Sequence, residues 1–248
     1  MHKLVLLRHG QSEWNLSNQF TGWTDVGLTK KGEQEASESG KVLADAGFKF
    51  DTVHTSVLDR AIQTMKLCLD KINGGDIPIS YHWQLNERHY GALQGLNKIE
   101  TAKKYGDDQV LIWRRSYDIR PPELDWYDER HPRFDDKYQN LKNNELPSAE
   151  CLKDTVDRFL PCWEKKILPD ITSGKNVLIV AHGNSLRALV KYLDKINNDD
   201  ILKLNIPTGV PLVYELDKHL APLKHYYLGD QSEIDKKSAE VAAQGKTK

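Results

Sequence analysis

Two apolar runs, far apart in the chain, each end on a His-Gly dipeptide. Leu4-Val5-Leu6-Leu7 leads into Arg8-His9-Gly10, and Val177-Leu178-Ile179-Val180-Ala181 leads into His182-Gly183-Asn184. A short continuous apolar run bounded by glycine reads as a buried strand, most naturally in a parallel sheet. Ligands of open α/β sheets bind at the carboxyl ends of such strands. The pattern therefore lets two imidazoles share one pocket, with Arg8 beside the first.

The stretches between these runs alternate in the same sense. Strands are expected at about 3–8, Asp51–Thr55, Ile77–Tyr81, Val177–Ala181 and Leu212–Leu216. Thr29 reads as the N-cap of a helix reaching about Ala46. Leu58, Ala61, Ile62, Met65 and Leu69 recur at helical spacing, as do Leu152, Val156, Phe159, Leu160, Trp163 and Ile167. A further helix is expected from about Ser185 to Lys195. This alternation predicts an α/β fold with three α/β/α layers and a mainly parallel central sheet. An irregular stretch from about Asn86 to Pro147, with two short helices near 98–105 and 108–116, has the length of a lid or binding insertion. We expect one domain over 1–248, with a lid-like insertion at about 95–147 and a polar, mobile tail at about 230–248.

Composition narrows the function classes. A net charge of -1 gives no global argument for nucleic acid or a membrane surface. No run approaches membrane-spanning length. The start of the chain does not read as a signal peptide. Cys68, Cys151 and Cys162 are odd in number and widely spaced, as expected of reduced thiols, so a cytoplasmic location is expected. No ligand cluster with metal spacing is present, and no metal is expected.

The chemistry follows from the residue types. A neutral imidazole, with a reference pKa of about 6.5, can attack phosphorus near neutral pH. The transferring group is densely negative and needs fixed donors. Guanidinium forks suit phosphate oxygens, which makes Arg8 and Arg60 candidates, the latter at the start of the Leu58–Leu69 helix. Neighbours in a strand point to opposite faces, so Arg8 reaches the pocket of His9 only if the strand ends there. His182 is a further donor.

Longer motifs carry a resemblance. Arg8-His9-Gly10-Gln11-Ser12-Glu13-Trp14-Asn15 resembles the signature of the histidine phosphatase superfamily. Phe20-Thr21-Gly22-Trp23, Leu85-Asn86-Glu87-Arg88-His89-Tyr90-Gly91, Trp113-Arg114-Arg115-Ser116, Ala181-His182-Gly183-Asn184-Ser185-Leu186-Arg187 and Leu204-Asn205-Ile206-Pro207-Thr208-Gly209 resemble one branch of it. That branch is the 2,3-bisphosphoglycerate-dependent phosphoglycerate mutases. The resemblance runs from Leu4 to about Leu228 and returns at Val241–Gly245.

It implies the phosphoglycerate mutase-like fold and an isomerase of glycolysis and gluconeogenesis, primed by 2,3-bisphosphoglycerate, that interconverts 3-phosphoglycerate and 2-phosphoglycerate. His9 is implied as the phosphorylated nucleophile. Arg8, Arg60 and His182 would hold the phosphoryl group, and Glu87 would be the general acid and base. Arg88, His89, Tyr90, Lys98, Arg114 and Arg115 would bind the substrate. Ser12, Asn15, Thr21, Gly22, Gly183 and Asn184 would complete the pocket, with Ser56 as a further candidate. The resemblance also implies a homodimer or homotetramer, and a tail that closes over the pocket and slows hydrolysis.

Gln11, Ala188 and the 117–145 stretch depart from the branch's usual pattern. Three alternatives remain. One is a bisphosphoglycerate mutase or phosphatase, against which Ser12 and Gly22 argue. A second is a general histidine phosphatase, in which water takes the phosphoryl group. The third is a non-catalytic interaction module, which would have no need of His9, Arg60, Glu87 and His182 together.

Overall fold

The computed structural model describes residues 2–72 and 76–244. The first apolar run forms β1 (His2–Arg8), and Ser12 caps the short α1 (Glu13–Leu16). Thr29 caps α2 (Lys30–Asp45), its hydroxyl accepting from the Gly32 N–H at 3.1 Å. β2 (Thr52–Thr55), α3 (Asp59–Ile72) and β3 (Ile79–Tyr81) follow.

The stretch expected as an insertion holds α4 (Lys98–Tyr105), α5 (Asp107–Arg115) and three single-turn 3₁₀ helices between Pro132 and Glu145. α6 (Leu152–Cys162) contains Pro161, which has no N–H for the helical ladder. The chain then loosens into a π-type turn over Trp163–Ile167 and resumes as α7 (Leu168–Thr172). The uninterrupted helix expected here is thus three pieces. β4 (Val177–Ala181), α8 (Gly183–Leu193), β5 (Pro211–Leu216), β6 (Pro222–Tyr227) and α9 (Gln231–Ala243) complete the order.

The six strands form one sheet in the order β3-β2-β4-β1-β5-β6. β3, β2, β4 and β1 run parallel, while β5 and β6 are antiparallel additions. β6 was not foreseen; it lies at the sheet edge, where its partly exposed residues carry no buried apolar run. The segment read as a polar tail holds α9, which starts at the Asp230 cap and buries Ile234 alone among its side chains. Residues 245–248 of that tail lie outside the described residues.

The two central strands explain the unbroken hydrophobicity of their sequences. Leu4, Leu6, Val177 and Ile179 pack on one face against Phe159, Trp163, Leu186 and Leu189 of the α6–α8 layer. Val5, Leu7, Leu178 and Val180 pack on the other against Leu43, Met65 and Cys68 of α2 and α3. Alternate residues of each run thus serve opposite cores. Each fully buried aliphatic side chain contributes about 1.5–3 kcal/mol by this burial. Among the described residues, no helix is long and apolar enough to cross a membrane.

Candidate active site

Parallel pairing of β1 with β4 sets Arg8 opposite Ala181, and the His9 N–H donates to Ala181 O at 3.0 Å. Both His-Gly ends therefore leave the sheet side by side. The ring centres of His9 and His182 are 5.0 Å apart. Gly10 permits this packing, because a Cβ there would meet Gly32 O of α2 at 2.2 Å. Its N–H is held by Thr64 Oγ1 at 3.1 Å.

The His9 ring is nearly fully buried, and its Nδ1 lies 2.7 Å from Gly10 O. Nδ1–H donates to that carbonyl, which leaves Nε2 with its lone pair. Burial, reinforced by Arg60 and Arg8, holds His9 well below the usual imidazole range. The ring is thus neutral at pH 7, as a nucleophile must be. Burial and Arg60 do the same to His182, whose Nε2 lies 2.7 Å from Ser56 Oγ.

Arg8 and Arg60 are both buried and line one cleft with His9 and Glu87. Arg8 donates to Ile206 O at 2.7 Å and keeps its Nε without a protein partner among the described residues. Arg60 donates to Thr24 O at 3.0 Å and Gly22 O at 2.8 Å. Gly22 thus acts through its carbonyl, and its φ of +58° suits glycine. Glu87 Oε1 accepts from the backbone N–H groups of Arg88, at 2.7 Å, and Asn184, at 3.1 Å.

Asn15, Thr21, Tyr90, Lys98, Arg114, Arg115, Gly183 and Asn184 line the same cleft. Ser12 stands behind, exchanging capping bonds with Asn15. Arg88 is fully buried beneath Tyr90, its guanidinium 4.6 Å from the ring centre, and donates to Arg114 O at 2.7 Å. His89 does not line the cleft. Its Nδ1 accepts from the Gly91 N–H at 3.0 Å, its ring lies against Trp23, and burial drives it down to about 3. Burial, then Arg114 and Arg8, pushes Lys98 down to about 7.

Several lining residues escaped the sequence reading. Arg187 sits one turn beyond Asn184 on α8 and donates to Asn184 Oδ1 at 2.8 Å, so the amide nitrogen of Asn184 turns to Tyr90 Oη. Helical i,i+3 spacing was the signal that could have found it. Gln19, Ile206, Val241 and Gln244 also line the cleft. α9 brings the last two in. Arg114 donates to Gln244 O, Lys98 to Gln244 Oε1 at 3.4 Å, and Arg115 to Val241 O at 3.5 Å. Among the described residues, no group of three or more His, Cys, Asp or Glu side chains could hold a metal.

A family model of the histidine phosphatase superfamily, branch 1, matches residues 4–142 and 123–227. The chain belongs to this superfamily. Its fold is also that of solved histidine phosphatase-like structures of low sequence identity. A mycobacterial glucosyl-3-phosphoglycerate phosphatase matches with a TM-score of 0.67 and 21% identity, over 87% of this chain and 93% of that one. A putative α-ribazole-5′-P phosphatase from Escherichia coli matches with a TM-score of 0.67 and 18% identity, over 93% and 98%. The α-ribazole phosphatase from Shigella flexneri matches with a TM-score of 0.65 and 20% identity, over 90% and 94%.

These relatives bring one correction. The isomerase expected from the motifs is overturned, because these three matched structures are named as phosphatases. The physical reason is that a set of imidazole, guanidinium and carboxyl groups of this kind can serve either acceptor, water or a substrate hydroxyl. Motifs built from those residues report the phosphoryl chemistry of the histidine phosphatases, not the acceptor.

Proposed function

We propose that the chain is a phosphatase that works through a phosphohistidine on His9. Its substrate is a small phosphate monoester bearing a second anionic group, of the phosphoglycerate class. The observation that carries this reading is the cleft in which a neutral His9, with Nε2 free, meets Arg8, Arg60 and Glu87.

In the first step, His9 Nε2 attacks phosphorus. The N–P bond forms, the ester P–O bond breaks, and Glu87 gives its proton to the leaving oxygen. In the second, Glu87 takes a proton from water, whose oxygen attacks phosphorus. The N–P bond breaks and inorganic phosphate leaves. Arg8, Arg60 and His182 hold the phosphoryl oxygens throughout. Lys98, Arg114 and Arg115, on α4 and α5, anchor the second anionic group and so align the ester for attack. 2,3-Bisphosphoglycerate, with two phosphates and a carboxylate, is a candidate substrate of this cationic cleft.

The test is release of inorganic phosphate from 3-phosphoglycerate and 2,3-bisphosphoglycerate with chelator present, alongside capture of acid-labile phosphate on the protein. Both signals should vanish in His9→Ala. Phosphate release that survives this substitution would refute the proposal.

A further inference from the structure

We infer that Ser56 is a positioning residue that fixes His182 as its Nδ1–H tautomer, keeping that N–H for a phosphoryl oxygen carried by His9. The inference rests on the proposed role of His9. The placement begins in the sheet. Thr55, the last residue of β2, pairs with Val180 of β4, and its hydroxyl donates to Val180 O at 2.8 Å. Continued by one residue, this register sets Ser56 level with Ala181, the residue before His182, and the Ser56 and His182 side chains meet there. Both are fully buried.

Hydrogen-bond accounting then decides the tautomer. A serine hydroxyl has one hydrogen to give and two lone pairs to offer. Ser56 Oγ accepts from the Leu58 N–H at 3.2 Å and lies 2.7 Å from His182 Nε2. No other partner of this oxygen occurs among the described residues. If Nε2 carried the hydrogen, the Ser56 O–H would be buried with no acceptor, which is disfavoured. With Ser56 donating to Nε2, the hydroxyl, the Leu58 N–H and Nε2 are all satisfied. The imidazole hydrogen must then sit on Nδ1.

His182 Nδ1 is buried and has no protein partner among the described residues. An N–H left open beside His9 is the group that a transferring phosphoryl requires. The opposite tautomer would present a lone pair to negatively charged oxygens. A neutral ring has only one N–H, so its partner at Nε2 governs what it can offer at Nδ1.

The experiment uses the full chain labelled with ¹⁵N in its histidine rings. Two-bond ¹⁵N–¹H spectra at neutral pH read the tautomer of His182 directly. The expected result is a protonated Nδ1 and an unprotonated Nε2. Ser56→Ala should give a tautomer mixture and slow phosphohistidine formation by about tenfold to a hundredfold. Ser56→Thr, which keeps the hydroxyl, should retain the wild-type pattern. A protonated Nε2 in the unaltered chain overturns the inference even where His9 becomes phosphorylated. So does a Ser56→Ala variant with unchanged spectrum and rate. Failure of the proposed function looks different: the unaltered chain forms no phosphohistidine from any phosphate monoester, whatever its tautomer.

Discussion

Lys98 is a cleft residue whose charge changes near neutral pH. Burial among other cations brings it down to about 7, so it is charged below neutrality and loses its charge as pH rises. Under the proposed reading, KM for a phosphoglycerate should rise between pH 6 and pH 8.5. Lys98→Met should show a higher KM with a shallower pH profile over that range, measured by phosphate release. Gly10 sets a steric limit instead. In Gly10→Ala the new Cβ would meet the backbone of Gly32, with no flexible side chain to yield. A loss of about 1–3 kcal/mol is expected, read from urea denaturation, together with impaired phosphohistidine formation. His9, Arg8 and His182 were legible because a strand end fixes where they go. Arg187 was not read as a site residue, since its role depends on turning one amide rather than on a motif of its own.

At the scale of elements, the carboxyl of Glu87 sits on an irregular segment and owes its position to α6. Arg158 donates to Asn86 O and Glu87 O, each at 2.9 Å, and forms a buried ion pair with Glu150 at 2.6 Å. Glu150 in turn accepts from the His89 N–H at 2.8 Å. Arg158→Met should cost about 3–5 kcal/mol, because it strands a buried carboxylate and frees the loop. Calorimetry would show a lowered Tm, and residual activity should fall beyond what unfolding explains. No periodicity announces such an anchor, which is why the sequence did not reveal it. α9 was also hidden, since it buries only Ile234 and joins the body through Lys237–Glu35 and Lys31–Glu240. The carbonyl groups of Val241 in α9 and of Gln244 just after it engage Arg115 and Arg114 at the cleft. Ending the chain at Asp230 should therefore speed hydrolysis of a bulky ester such as p-nitrophenyl phosphate several-fold. An unchanged rate would show that α9 does not restrict entry.

For the whole molecule, the two central strands link both cores to the cleft. Their unbroken apolar runs made the layered fold readable, because a strand buried on both faces has no polar positions to blur it. The edges carried no such mark, and β6 went unread. Leu6 lies in the middle of β1 and is 1% exposed. Leu6→Ala should cost about 2–5 kcal/mol, with each kcal/mol lowering Tm by about 2–4 °C in a chain of this size. Conversely, phosphate binding to the native cleft should raise Tm in step with ligand concentration.

The neighbouring positions of β1 and β4 also bear on biosynthesis. His9 leaves the ribosome well before His182 does. Parallel strands cannot pair through a tight turn and must wait for their crossover. A nascent chain therefore carries His9 without its partner until β4 emerges and docks. Under the proposed reading, phosphoryl transfer can begin only once the sheet is closed, and activity would then report that β1 and β4 have paired.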